Sequence, residues 1–143
     1  MKGRILTEKM IADFFAYLKR EEKSRNTVEK YLRDVRAFFA RMHGAEVTKE
    51  TVIAYKNRLL SQNYAVRSIN SMLASINSLF SFLGWADLKV KSVKFQQQIY
   101  CSEEKELTKA EYMRLVNTAK RKGKERLNLV LQTICGTGIR VSE

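Results

Sequence analysis

Apolar residues recur at intervals of three, four and seven positions along most of the 143-residue chain, and this is the spacing of amphipathic α-helices. The most regular stripe runs from Val28 through Val35 and Phe38 to Met42. The chain has no proline and only six glycines, so few residues interrupt the pattern. The pattern predicts an all-α protein whose first four helices form a compact bundle, at roughly residues 7–22, 27–42, 48–62 and 66–83.

The helical pattern stops after Trp85. Residues 86–106 lack an apolar stripe and carry Lys89, Lys91 and Lys94 at near-alternate positions. Two interpretations fit this segment equally well. It is either an extended linker whose basic half follows a phosphate backbone, or an ordinary solvated connector.

Helical order resumes at Thr108, which has the spacing of a capping box with Glu111. A basic turn follows at residues 120–126, and the stretch 127–139 contains no charged residue, which predicts a buried helix. The predicted organisation is therefore a first domain, a basic linker and the N-terminal piece of a second domain, at residues 1–86, 87–105 and 106–143.

The charge balance indicates that the predicted bundle belongs to a binding protein. Lys and Arg number 27 against 15 Asp and Glu, which gives a net charge of +12. Such an excess favours a polyanionic partner, most commonly nucleic acid. An anionic membrane surface is the weaker alternative, because the basic residues do not lie opposite an exposed apolar helix face. The chain also lacks an apolar run long enough to span a membrane, so we expect a soluble cytoplasmic protein.

Few residues are available for metal or nucleophilic chemistry. His43 is the single histidine, and Cys101 and Cys135 occur in unrelated contexts. No ligand cluster can be assembled from them, so we expect no metal site and no cofactor.

The second predicted helix separates its charges from its apolar stripe. Hydroxyl, amide and guanidinium groups gather at its start, where the helix N-terminus favours phosphate oxygens, and further basic residues occupy its outward side. N-capping by Ser24 or Asn26 is a compatible alternative. The candidate DNA contacts here are Lys23, Ser24, Arg25, Asn26, Thr27, Lys30, Arg33 and Arg36.

The fourth predicted helix has an unusual outward side, composed of Ser and Asn with Arg67 as its only charge. Exposed helix faces normally carry Lys, Glu or Arg. Small polar side chains let the helix backbone approach a DNA groove or another protein helix closely, and Arg67 favours DNA. The candidate contacts from this helix and the following linker are Arg67, Ser68, Asn70, Ser71, Asn77, Lys89, Lys91 and Lys94.

Arg140 lies in a glycine-flanked turn directly after the last apolar stretch. A guanidinium in this position is expected to be partly shielded and bound to an oxyanion, for which its planar fork is suited. The alternative is a salt bridge to Glu143 on a new helix. Position alone favours neither interpretation.

The motif around Arg140, "GTGIRVSE", resembles the first arginine box of the tyrosine recombinases, the phage-integrase family. Upstream, "LTKAEYMRLV" is similar to the opening helix of that family's catalytic domain. The stretches "KSRNTVEKYLRDVRAFF" and "VRSINSMLASINSLFSFLGW" resemble the second and fourth helices of its core-binding domain. The resemblance implies a four-helix SAM-like core-binding bundle, a linker and the first helices of a truncated catalytic domain.

The resemblance also implies a reaction, in which a tyrosine cleaves DNA through a 3′-phosphotyrosine intermediate and a DNA hydroxyl reverses the step. Arg140 would stabilise charge on the scissile phosphate, and Glu143 would orient Arg140. The tyrosine and the other catalytic residues of the family lie downstream of this box. We therefore expect this chain to bind DNA without cleaving it, as part of a longer recombinase that acts as a tetramer on paired double-stranded sites. Neither a metal, a nucleotide nor a small-molecule substrate is implied.

A second function class remains open from the sequence. A non-enzymatic helical module, either a DNA-binding regulator, a protein-interaction domain or a truncated competitor of a recombinase, would also explain the charge and the bundle. It would leave the resemblance of "GTGIRVSE" as a coincidence.

Overall fold

The computed structural model describes residues 3–95, 103–140 and 142. They form six α-helices, and the only β pairing among them is a bridge between Ile5 and Glu46. The predicted all-α class is confirmed. The chain divides into two compact units, Met1–Gln96 and Gln97–Glu143. The helices are α1 (Glu8–Arg20), α2 (Arg25–Met42), α3 (Lys49–Ser61), α4 (Val66–Phe82), α5 (Lys109–Arg121) and α6 (Glu125–Thr137).

Hydroxyl side chains begin most of the helices in the first unit. Thr7, Ser24 and Thr48 each accept a hydrogen bond from a backbone N–H in the first turn of α1, α2 and α3. These bonds satisfy amides that have no partner inside the helix. At the other end of α2, His43 adopts a left-handed conformation with φ of 47° and Gly44 follows with φ of 76°, which turns the chain towards α3.

The core of the first unit is centred on α4. Five apolar side chains of this helix are fully buried, and they pack against apolar residues of α1, α2 and α3. Phe38 of α2 meets the ring of Phe80 edge-on at a centroid distance of 5.9 Å and that of Tyr55 at 5.0 Å. The buried residues of α4 in this core are Ile69, Leu73, Ile76, Leu79 and Phe80.

The segment after α4 packs onto the bundle. A short 3-10 turn at Ala86–Leu88 leads into an extended stretch, and we call residues 87–94 the strap. Leu88 and Val90 are buried and Val93 packs against the core. The sequence placed residues 87–95 in a linker, whereas the structure includes them in the first unit, because the apolar side chains of Leu88, Val90 and Val93 pack against the bundle.

The second unit contains a helical hairpin of α5 and α6. Thr108 and Glu111 form the predicted capping box at the start of α5, and Gly123 turns the chain with φ of 66°. The expectation of a buried helix at 127–139 is wrong for the described residues. Two helices cover only one face of each other, and exposed apolar residues of α6 include Leu127, Leu129 and Val130.

None of the helices within the described residues is both long and apolar enough to cross a membrane.

Candidate nucleic-acid interface

A buried ionic network joins α2 to α4. The Lys30 ammonium donates to Asp34 Oδ2 at 2.8 Å, to the Ser71 carbonyl at 3.0 Å and to Ser75 Oγ at 3.0 Å. Ser75 Oγ in turn donates to Asp34 Oδ2 at 2.8 Å. Both Asp34 and Ser75 are buried, so the carboxylate depends on these donors in place of water.

This network corrects the prediction for Lys30. An ammonium group has three protons, and all three find acceptors inside the chain. Lys30 is therefore engaged in holding α2 against α4, and we remove it from the candidate DNA contacts. Ser71 is half-buried in the same place, with its carbonyl oxygen occupied by Lys30.

The exposed basic residues of α2 lie beside the network. Arg33 and Arg36 are exposed, and the Arg33 Nε lies 3.6 Å from the buried Asp34 carboxylate. The side chain of Arg33 is nevertheless 76% exposed, so its guanidinium remains accessible to a ligand. Asp34 thus forms ion pairs with one basic side chain within the fold, Lys30, and with one at the surface, Arg33.

The start of α2 combines a helix cap with exposed polar groups. Ser24 Oγ accepts from the Thr27 N–H at 3.3 Å and shares a 2.8 Å hydrogen bond with Thr27 Oγ1. N-capping by Ser24, one of the two expected alternatives, is therefore observed, and Thr27 is half-buried. Lys23 and Asn26 are exposed on either side of this cap.

Arg25 has a partner that a phosphate can replace. Its Nε donates to Glu29 at 2.7 Å, and the hydrogen bond to Glu29 raises the pKa of the Arg25 guanidinium. The Arg25 side chain is 90% exposed. Exposed ion pairs of this kind contribute little stability, so exchange of Glu29 for a ligand anion costs little.

The strap covers much of the polar face of α4, and this corrects the predictions that Asn70 and Asn77 contact DNA. Asn77 exchanges two hydrogen bonds with the backbone of Val90, at 2.8 and 3.0 Å. Asn70 does the same with Val93, at 2.9 and 2.7 Å. Both amide groups are committed to the strap, because a side-chain amide can pair with both the N–H and the C=O of one residue. We therefore remove Asn70 and Asn77 from the candidate DNA contacts.

A narrow ridge of α4 stays at the surface between α2 and the strap. Successive residues are rotated by about 100° around the helix, so Arg67, Ala74, Ser78 and Ser81 fall on one face, away from the core-facing side chains. Its side chains are small apart from Arg67, so a ligand can approach the α4 backbone closely. The exposed residues of this helix are Arg67, Ser68, Ala74 and Ser81, and Ser78 is half-buried.

The strap carries the remaining basic candidates. Lys89, Lys91 and Lys94 are exposed, and Lys89 and Lys91 alternate with the buried Leu88 and Val90. Their side chains therefore project on the side of the strap away from the bundle.

The structure adds a group of arginines that the helical wheels did not bring together. Arg33 and Arg41 of α2 and Arg58 of α3 line a groove of about 390 Å³ that also contains Tyr55 and Tyr64. Burial raises the pKa of the Tyr55 hydroxyl, and the Asp34 charge adds to this effect. Only the packing of the bundle brings Arg58 close to Arg41, and no pattern within a single helix reports that proximity.

The arginine motif lies in the second unit. Helix α6 ends at Thr137, Gly138 follows with φ of 70°, and Arg140 is exposed. The expected shielding of Arg140 is thus not found in this chain. Glu143 lies outside the described residues, so its expected pairing with Arg140 stays a prediction.

Comparison with known proteins identifies the fold of the first unit. Residues 11–87 match the phage integrase N-terminal SAM-like domain. The chain belongs to the phage-integrase, or tyrosine recombinase, family. The matched region contains α2, α3 and α4 completely and ends where the strap begins.

Curated tyrosine recombinases resemble the chain beyond the SAM-like domain. The tyrosine recombinase XerA of Pyrococcus horikoshii is 31% identical over 145 residues, covering 100% of this chain and 48% of that protein. XerA of Pyrococcus furiosus is 28% identical with the same coverage. XerA of Thermococcus onnurineus is 27% identical over 134 residues, which cover 94% of this chain and 46% of the relative. The chain therefore spans about half the length of these recombinases.

The two roles assigned to the basic residues of α2 predict different effects of substitution. Lys30→Met should destabilise the first unit by about 2–4 kcal/mol, because it removes the partly buried cation of Asp34 and leaves only the longer contact with the exposed Arg33. Arg36→Met, on the same helix but exposed, should change the free energy of unfolding by less than about 0.5 kcal/mol. Urea unfolding followed by circular dichroism measures both. Equal stability of the two variants would contradict the network.

Proposed function

We propose that the first unit binds double-stranded DNA and that the chain is the DNA-binding part of a site-specific recombinase. The observation that carries this proposal is the exposed ridge of α4 between two elements that carry exposed cations, α2, which is bonded to α4 through Lys30, and the strap, which is bonded to it through Asn77. Small side chains at the centre and cations at the edges match a groove with phosphates along both of its walls.

The contacts divide into two classes. Exposed basic groups of α2 and the strap meet phosphates, which fixes position without reading sequence. Arg67, at the start of the α4 ridge, is placed to reach base edges once the ridge enters the groove, because a major groove about 12 Å wide admits a helix. Ser68 is a further candidate contact, about 100° around the helix from Arg67. The phosphate contacts proposed are Lys23, Ser24, Arg25, Asn26, Arg33, Arg36, Lys89, Lys91 and Lys94.

The proposed activity of the whole protein follows from the family and from Arg140. A tyrosine oxygen attacks the scissile phosphorus, a 3′-phosphotyrosine forms and the 5′-oxygen leaves as a hydroxyl. A DNA 5′-hydroxyl then attacks the same phosphorus and releases the tyrosine. Arg140 donates to the phosphoryl oxygens as negative charge develops on them, and Glu143 orients the guanidinium. We place the tyrosine beyond the residues of this chain and expect tetramers on paired sites.

DNA binding by this chain should depend steeply on salt. If about six phosphates are neutralised, affinity should fall roughly a thousandfold between about 50 and 200 mM salt. Fluorescence anisotropy with a labelled duplex measures this dependence. Arg25→Gln and Arg36→Gln should each reduce the slope of log affinity against log salt by about 0.9, whereas Lys9→Gln, on α1, should leave it unchanged. Salt-independent binding, or none, would contradict the proposal.

Strand cleavage provides the test of Arg140. In a protein that extends through the rest of the catalytic domain, Arg140→Ala should slow cleavage at least about a hundredfold, because a transition-state donor is lost. Site binding should be retained. Arg140→Lys should recover part of the rate, since it restores the charge without the bidentate geometry. Cleavage at the normal rate by Arg140→Ala would remove this residue from the active site and favour a non-enzymatic module.

A further inference from the structure

The strap is held by side chains from two helices. On the α4 side, Asn77 and Asn70 pair with the peptide groups of Val90 and Val93. On the α3 side, the Lys49 ammonium donates to the carbonyls of Asp87 and Lys89, and the Lys56 ammonium donates to the carbonyl of Lys91 at 2.7 Å. The strap backbone is thus bonded at five of its residues, although beyond Leu88 it belongs to no helix or sheet. The bonded residues are Asp87, Lys89, Val90, Lys91 and Val93.

The spacing of the two asparagines fits an extended chain. Asn70 and Asn77 are two helical turns apart, which corresponds to about 10.5 Å along α4. Val90 and Val93 are three residues apart, which is about 10 Å in an extended strand. Each amide therefore reaches the N–H and C=O of one residue, and the strap runs antiparallel to α4. Because residues three apart point to opposite sides of a regular strand, the strap turns about its axis between Lys91 and Val93, so that both valines face α4.

Asparagine is well suited to this position. Its amide offers an acceptor to the peptide N–H and a donor to the peptide carbonyl, and its short side chain has few rotamers to lose. A serine could make one of these bonds, and an aspartate could only accept. The pairing also fixes the register, because a slip of one residue would turn Val90 outward and Lys89 inward.

Register determines where the lysines point. With Val90 and Val93 facing the bundle, Lys89 and Lys91 project from the outer side, separated by two residues of extended chain or about 6.6 Å. Phosphates of one DNA strand advance by about 3.4 Å each along the helix axis. Because the strand also winds around the axis, neighbouring phosphates lie about twice that rise apart, so the two lysines match neighbouring phosphates when the strap lies along the strand.

We propose that Asn70 and Asn77 are positioning residues, which clamp the strap so that Lys89 and Lys91 form a prealigned pair for two phosphates of one strand. This inference rests on the proposed DNA binding. A clamped strap binds without first ordering a flexible segment, which preserves affinity that a free linker would lose. Lys49 and Lys56 support the clamp through the strap carbonyls, so their charges are directed to the backbone.

The clamp is tested first without DNA. Hydrogen exchange of the Val90 and Val93 amides should be slow in the unaltered chain and at least about tenfold faster in an Asn70→Ala, Asn77→Ala variant. Asn77→Asp should keep Val90 protected in part, since it still accepts from that N–H. Asn57→Ala, an exposed position on α3, is the matched control and should change neither rate. Unchanged exchange in the double variant overturns the clamp.

The lysine pair is tested by a double-mutant cycle on DNA affinity. Lys89→Gln with Lys91→Gln should reduce the salt slope by about 1.8 in the unaltered chain, because two phosphate contacts are lost. In the Asn70→Ala, Asn77→Ala background the same substitutions should reduce it by less than half as much. An equal reduction in both backgrounds overturns the positioning role.

The outcomes separate this inference from the proposed function. If the chain fails to bind DNA, both are overturned. If Arg25→Gln lowers the slope and the lysine pair does not, DNA binding stands and the strap proposal alone is overturned. The lysine variants test this even if the asparagine variants fold poorly, since Lys89 and Lys91 are exposed and circular dichroism verifies their fold.

Discussion

Each side of α4 packs against a different neighbour, and the rest of the first unit depends on this constraint. Its apolar side forms the core, Ser75 joins the Lys30–Asp34 network of α2, and Asn70 and Asn77 hold the strap. Only a narrow ridge is left for another molecule. The position of the proposed interface therefore follows from packing, because the ridge is the part of the α4 surface that neither the bundle nor the strap covers.

The polar contacts around α4 contribute to the choice of arrangement more than to net stability. A buried carboxylate with its cation roughly offsets its own desolvation, whereas a carboxylate without one is strongly unfavourable. Asp34 therefore penalises any packing of α2 on α4 that separates it from Lys30 and Ser75. The asparagine pairs act similarly on the strap. Hydrophobic burial supplies the driving force, and these contacts select one register.

The same contacts explain which features of the structure could be predicted from the sequence and which could not. Apolar periodicity predicted the four helices of the bundle because their cores are formed by helical stripes. It assigned Lys30, Asn70 and Asn77 to a ligand because a helical wheel cannot distinguish a solvated face from one covered by a neighbouring segment. The alternation of Leu88 and Val90 with lysines was visible, but nothing local shows that α4 offers amides at the matching spacing. The charge-free stretch of α6 led to the opposite error. It predicted a buried helix, but the described residues supply too few neighbouring side chains to bury it.

The basic excess of the chain is also partly internal. Lys30, Lys49 and Lys56 direct their ammonium groups to acceptors of the fold, so the net charge alone does not locate the binding surface. The central claim is that this surface is the α4 ridge with its two basic borders. A titration of the ¹⁵N-labelled chain with a short DNA duplex, followed by amide chemical shifts, tests it most directly. The account predicts that the largest shifts fall at the start of α2, along the α4 ridge and on the strap. Shifts confined to α1 and to the outer face of α3 around Ile53 and Leu60, with the α4 ridge unaffected, would contradict it.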